Sequence, residues 1–186
     1  EDHRRLAREA AVKSIVLLKN DPPEPDGSPL LPVDASRVAR IVLIGKLATS
    51  GNTGDNGSSR VRPPYGVTTL EGIRAAASPG TEVSWHNGRN LNTAAEAAGW
   101  ADMAIVIAGY NHRHEGEYIP FPPKGGDRDN LALSRHDEDL IDQVVRANPL
   151  TVVVLIGGSA IVTENWRHKV PAILMAWYPG MEGGHA

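Results

Sequence analysis

Three stretches constrain the fold more than any others: "VARIVLIG" at 38–45, "MAIVIAGY" at 103–110 and "LTVVVLIGG" at 150–158. Each is an apolar run, broken only by Arg40 in the first and Thr151 in the last, rich in β-branched residues and stopping at glycine or at an aromatic ring. A strand with one wet face alternates polar and apolar residues. These runs do not alternate, so both of their faces must be covered, which is the pattern of a parallel sheet between two layers of helix. Shorter runs at Ile15–Lys19, at 81–88 ("TEVSWHNG") and at 171–180 ("PAILMAWYPG") raise the expected strand count to about six.

Helical patterns separate the strands. "RLAREAAVKS" runs directly into the first strand. "VTTLEGIRAAAS" opens on a threonine cap and spaces Leu70, Ile73 and Arg74 as a helix does. "NTAAEAAGWA" predicts an alanine-rich helix capped by Asn92 or Thr93. "SRHDEDLIDQVVRAN" predicts a helix with Ser134 as cap and Asp137 at the third position of its first turn. "AIVTENWRHK" reads as a short helical segment, with Ser159 just ahead of it as its cap. Strands alternating with helices give right-handed crossovers and a mainly parallel sheet. In such sheets the working loops lie beyond the carboxyl ends of the strands. The long or unusual loops after Gly45, Tyr110 and Trp177 all fall there.

Composition bounds the partners. The 186 residues carry a net charge of −3 and show neither a basic stripe nor a basic helix, which argues against nucleic acid or an anionic membrane. There is no cysteine, hence no disulfide and no thiolate metal site. No apolar run approaches the length of a membrane span. The compartment is left open. The first residue is not methionine and the last stretch breaks off after Gly-Gly, where an α/β fold would begin a helix, so the chain reads as a piece of a longer polypeptide.

The loop "NHRHEGEYIPFPPKGGDRDNL" (111–131) is the most unusual segment. Two glutamates in a polar loop are ordinarily a solvated surface. Here Tyr118, Ile119, Pro120 and Phe121 follow them, an apolar wall able to raise a carboxyl pKa by desolvation, and Glu115 and Glu117 repel each other in the same sense. A carboxylic acid on a mobile loop suits general acid/base chemistry. Asp127 and Arg128 read as a structural ion pair or helix cap that anchors the loop's return, and Asp129 and Asn130 as turn residues. His112 and His114 form a lone H-x-H, a weak metal signal, and no metal or other cofactor is expected. The glycines of "GNTGDNGSSRVRPPYG" fit neither dinucleotide nor P-loop spacing; that loop, with Arg60 and Arg62, suits a hydroxyl-rich ligand or another domain. Trp177 and Tyr178 fit either the core or one wall of a sugar site.

Five segments in order resemble the second domain of family 3 glycoside hydrolases, the β-glucosidase and β-xylosidase superfamily: "REAAVKSIVLLKND…LLP", "GDNGSSRVRPPYGVTTLEGI", "EGEYI…GDRDNLALSRHDEDLI", "VVVLIGGSAIVTENW" and "AILMAWYPGMEGGHA". The resemblance spans essentially the whole chain, residues 1–186. It implies a three-layer αβα sandwich of six strands. It also implies that a separate TIM-like barrel domain, N-terminal to this one, carries the nucleophilic aspartate, while this domain supplies the acid/base from a G-E-x pattern ahead of D-R-x-x-L. On this sequence the pattern falls on Gly116-Glu117, so Glu117 is the implied general acid/base and Glu115 its fallback, with Tyr118 and Arg60 as candidate substrate contacts. Relatives often read G-E-G-Y where this chain places Tyr118 directly after Glu117. The implied partner is a β-linked oligosaccharide or glycoside, cleaved at its non-reducing end with retention. A non-catalytic carbohydrate-binding or scaffold module of the same fold is the alternative, and a nucleotide-binding α/β domain a third.

Overall fold

The computed structural model describes residues 1–25, 27–35, 37–54, 57, 60–116, 126 and 128–186 in full, and the backbone alone at 119–120 and 123–124. A six-stranded sheet organises it, with β1 Val16–Asn20, β2 Arg40–Ile44, β3 Glu82–His86, β4 Met103–Gly109, β7 Thr151–Ile156 and β8 Ala172–Trp177. Two short strands, β5 Ile119–Pro120 and β6 Pro123–Lys124, pair antiparallel within the loop after β4. The helices are α1 Asp2–Ser14, α2 Thr69–Ala76, α3 Leu91–Trp100, α4 His112–Glu115 and α5 Arg135–Ala147. Strand order is β1-β8-β7-β4-β2-β3, parallel throughout except for β1, which pairs antiparallel with β8.

The three apolar runs of the sequence fill the middle of this sheet as expected. Along β4 and β7 successive side chains go to opposite faces. Ala104, Val106, Ala108, Val153 and Leu155 join one core with α3 and α5. Met103, Ile105, Ile107, Val152 and Ile156 join the other, with Leu70 of α2 and Ile15 at the end of α1. Two helical layers around one sheet make the three-layer αβα sandwich. Both cores are apolar, so the sheet centre is held by burial; each fully covered Val, Leu or Ile contributes about 1.5–3 kcal/mol relative to exposure.

Local signals account for most helix ends. Thr68 accepts from the Glu71 backbone N–H while the Glu71 carboxylate accepts from Thr68 N–H, a complete capping box on α2. Ser134 caps α5 through Asp137 N–H. The cap of α3 is Asn90, whose side chain accepts from the Asn92 and Thr93 amides; Asn92 and Thr93, the expected caps, lie inside the first turn. "AIVTENWRHK" is not an α-helix: it is mostly irregular, ending in a 3₁₀ turn at Arg167–Lys169, with Trp166 almost fully buried (1 % exposed). The indole needs to reach the core, and that pull overrides helical propensity. Ser159 therefore caps no helix.

The connection from β2 turns toward β3, and that from β4 toward β7 and β8. The order thus reverses between β2 and β4, and a crevice opens there beyond their carboxyl ends. β2 is followed by, and β4 ends on, a glycine in the left-handed region, Gly45 at φ 120° and Gly109 at φ 130°. A Cβ at Gly109 would stand 1.9 Å from the Ile156 carbonyl oxygen and one at Gly45 2.3 Å from that of Ile107. Only glycine lets the chain leave the sheet so close to its neighbour.

Candidate active site

The carboxyl edge of β4 begins with Tyr110, whose ring is buried (9 % exposed) and whose hydroxyl donates to the Ala132 carbonyl. Asn111 then starts α4, one turn that the sequence does not announce, by accepting from Arg113 N–H at 2.9 Å. His114 Nδ1 accepts from Asn111 N–H at 3.3 Å, completing the cap with a ring where a carboxylate is usual. This turn aims Glu115 inward, across the mouth of the sheet.

Glu115 and Arg128 form an ion pair with Oε1 to Nε at 3.0 Å, and the two side chains are only 9 % and 7 % exposed. Glu115 Oε2 accepts from Gly158 N–H at 2.6 Å and from the Tyr178 hydroxyl. Its Oε1 accepts from Ser159 Oγ at 3.2 Å. Arg128 Nη2 donates to the Ala160 carbonyl at 2.7 Å and to Ser159 Oγ, while the guanidinium lies 4.2 Å over the Tyr110 ring. Gly158 and Ser159 follow β7; Tyr178 follows β8. Trp177, at φ 56°, is in the left-handed region, an unusual conformation for a bulky residue, and its indole N–H donates to the Ser14 carbonyl. Burial first, and then the hydrogen bond to Glu115, pushes the Tyr178 hydroxyl far above its ordinary range, so it remains a donor at every working pH.

Two concavities flank this cluster. One, about 510 Å³, is lined by Tyr110, His114, Arg128, Asn130 and Ser134. The other, about 350 Å³, occupies the crevice between β2 and β4, against Lys46, Asn87, His114, His136 and Asp137. Burial pushes the Asp137 carboxyl up; its hydrogen bond with Ser134 and the charges of His136, His114 and Lys46 pull it back. A further concavity of about 540 Å³ lies beside Leu18, Ile161 and Arg167 and includes none of the Glu115 cluster in its lining. Among the described residues no three His, Asp or Glu side chains are grouped to hold a metal ion, and no helix is long and apolar enough to cross a membrane.

The structure thus unites Glu115 and Arg128, singled out from the sequence, with Ser159 and Tyr178, which the sequence noted for other reasons. Arg128, read with Asp127 as an ion pair or cap, is paired with Glu115. Glu117, Tyr118 and Asp127 lie outside the described residues, as do Asp55, Asn56, Ser58 and Ser59 of the loop before Arg60. Arg60 is exposed and lines none of these concavities. The Gly158 amide, a main-chain donor, carries no sequence signal at all.

A second anchored carboxylate closes the far end of the same edge. Glu182 (4 % exposed) accepts from the Tyr65 hydroxyl and pairs with His185 Nδ1 at 2.8 Å. The Tyr65 hydrogen bond first, then His185, hold its carboxyl below the usual range.

Residues 15–186 match the family model described as "Glycosyl hydrolase family 3 C-terminal domain". A β-xylosidase of Formosa agariphila is 29 % identical over 199 residues, covering 100 % of this chain and 26 % of that protein. A β-glucosidase of Bacteroides ovatus is 30 % identical and likewise matches 100 % of this chain with 26 % of its own length. Among solved structures, a β-D-glucoside glucohydrolase from Trichoderma reesei superimposes with a TM-score of 0.82 at 30 % identity, over 98 % of this chain and 27 % of that one. The chain therefore spans about a quarter of the length of the relatives it matches.

Proposed function

Because this chain belongs to glycosyl hydrolase family 3, as a C-terminal domain of that family, we propose that it supplies the general acid/base of a retaining β-glycosidase. The proposed substrates are terminal non-reducing β-D-glycosyl residues, as in β-glucosides and β-xylosides. The observation that supports this most is the setting of the loop after β4. It leaves the carboxyl edge beside the point where strand order reverses, where α/β sheets place their ligands, and it carries two glutamates, of which Glu115 is fully engaged with protein donors. Glu117 is the one left for proton transfer. The names of the relatives, β-xylosidase and β-glucosidase, favour the same chemistry.

In this reading a second carboxylate, contributed by a TIM-like barrel domain N-terminal to the sandwich, stands about 5–5.5 Å from the Glu117 carboxyl across the bond and attacks the anomeric carbon. Glu117, protonated, gives its proton to the departing glycosidic oxygen. Glu117 then takes a proton from the water that releases the sugar, so configuration is retained. Tyr118 and Arg60 are the proposed substrate contacts on this side of the cleft. The chemistry calls for no cofactor.

The test is Glu117→Ala in the full-length enzyme. General acid catalysis contributes roughly 10²–10⁴-fold. kcat/KM on a disaccharide should fall by that order, while kcat/KM on an aryl glycoside with an activated leaving group changes little. Azide should restore turnover of the aryl glycoside and give a glycosyl azide of retained configuration. Normal rates on the disaccharide would instead make the domain a non-catalytic binding or scaffold module.

A further inference from the structure

We infer that Glu115 and Arg128 are positioning residues. Their buried ion pair is a clasp that fastens both ends of the loop 116–127 and thereby sets where Glu117 hands over its proton. This inference rests on the reading of Glu117 as the acid/base.

The geometry carries it in three steps. First, Glu115 has no capacity left for substrate. An ionised carboxylate offers about four acceptor sites, and here Arg128 Nε and Ser159 Oγ occupy Oε1 while Gly158 N–H and the Tyr178 hydroxyl occupy Oε2. It would have to give up one of these partners to carry a proton. Second, the clasp sits at the neck of the loop. Glu115 precedes the loop and Arg128 follows it, and between them Gly126 N–H donates to the Gly116 carbonyl at 2.8 Å. Gly116, the residue that precedes Glu117 in sequence, is thus held in place. Third, the clasp is tied to the rigid part of the fold. Gly158 and Ser159 extend β7, Tyr178 extends β8, and the Arg128 guanidinium rests on Tyr110 at the end of β4. Three adjacent parallel strands thus fix one carboxylate. Displacing a reacting group by about 1 Å costs on the order of 10²-fold in rate, so a loop bearing the acid needs such an anchorage.

The substitution Glu115→Gln keeps the shape and a carbonyl oxygen for Gly158 N–H but removes the charge that holds Arg128. In the full-length enzyme kcat/KM on a disaccharide should fall by about 10²-fold, with an activated aryl glycoside far less affected. A residue that acts only through Glu117 should cost nothing further once Glu117 is gone. The double variant Glu115→Gln/Glu117→Ala should therefore match Glu117→Ala alone. Additive losses, or equal losses on both substrates, would reduce the pair to an ordinary structural brace and overturn the inference. A glycosyl azide formed by Glu115→Gln with Glu117 intact would overturn it the other way, by making Glu115 the acid/base. If Glu115→Gln does not fold, Arg128→Lys and Tyr178→Phe replace it. They keep the buried charges balanced, should show the same leaving-group pattern more weakly, and refute the clasp if both leave disaccharide turnover normal. Disaccharide turnover unchanged by Glu117→Ala but slowed by Glu115→Gln would remove the acid/base reading and, with it, the positioning of Glu117, while leaving a clasp acting on another group.

Discussion

Asn148 is a buried amide (5 % exposed) whose removal should cost more than its size suggests. It follows α5, and its Nδ2 donates to the carbonyls of Ala98 and Ala101 at 2.9 Å each, satisfying the last turn of α3. Its Oδ1 accepts from Leu150 N–H at 2.9 Å and shapes the turn into β7. One side chain thus joins the carboxyl ends of both helices on one face of the sheet. Asn148→Ala deletes three hydrogen bonds and leaves two carbonyls and one N–H with reduced access to water. At about 1 kcal/mol for each bond lost, with extra cost for any orphaned group, the change amounts to roughly 3–4 kcal/mol. For a domain of this size that is a melting-point drop of roughly 6–16 °C. Asn148→Asp should be at least as damaging, because it sets a carboxylate against two carbonyl oxygens. Urea titration followed by far-UV circular dichroism reads both variants, with an unchanged m-value showing that the unfolded state is not the cause. A loss under about 1 kcal/mol for Asn148→Ala, or a milder effect for Asn148→Asp than for Asn148→Ala, would refute the reasoning; both magnitudes follow from the cost of unpaired polar groups.

Two further outcomes follow from features of the sheet edge. Gly109→Ala places a methyl 1.9 Å from the Ile156 carbonyl at a left-handed φ; it should destabilise by more than about 2 kcal/mol in the same titration, and a near-neutral result would show that the backbone relaxes there. The Glu182 carboxyl is held below its unfolded value by Tyr65 and His185, so its contribution is complete above the unfolded glutamate range and disappears as pH falls through the folded value. Melting curves from pH 7 down to pH 3 should therefore fall less steeply for Glu182→Gln than for the parent chain, and parallel curves would discount the linkage.

The sheet was legible in the sequence because its signal is local and redundant. Every residue from Val152 to Ile156 is apolar, and no partner needs to be known to infer that both faces are covered. Ser134 and Thr68 were legible for the same reason, since a cap and its amides lie within three residues. Asn90 was missed because Asn92 and Thr93, two and three positions later, are equally good caps, and only the chain's exit from β3 decides among them. The Glu115 cluster was beyond the reach of pattern. Its partners stand 13, 43, 44 and 63 positions away in sequence, at Arg128, Gly158, Ser159 and Tyr178. They meet only because β4, β7 and β8 are parallel neighbours that end at one level. Arg128 was tied by proximity to Asp127, which lies outside the described residues; the partner the structure shows is Glu115, with the guanidinium packed on Tyr110. The segment 160–169 was read as helical because its composition permits a helix; the burial of Trp166 decides otherwise.

The pairing of β1 with β8 bears on how the chain assembles. Val16 lies opposite Met175, so β1, the first strand of this sheet in chain order, acquires its neighbour among the described strands only once the other five strands of the sheet exist. The other adjacent strands come from closer parts of the chain and can associate as it emerges. Loop-closure entropy rises only logarithmically with separation, so the lateness costs little equilibrium stability. It does cost time, since distant contacts form slowly. During that interval Val16, Leu17 and Leu18, each still 42–53 % accessible in the finished fold, offer an open ribbon to whatever strand arrives first. Aggregation during folding of this domain should accordingly begin at the β1 ribbon, well away from the loops that carry the chemistry.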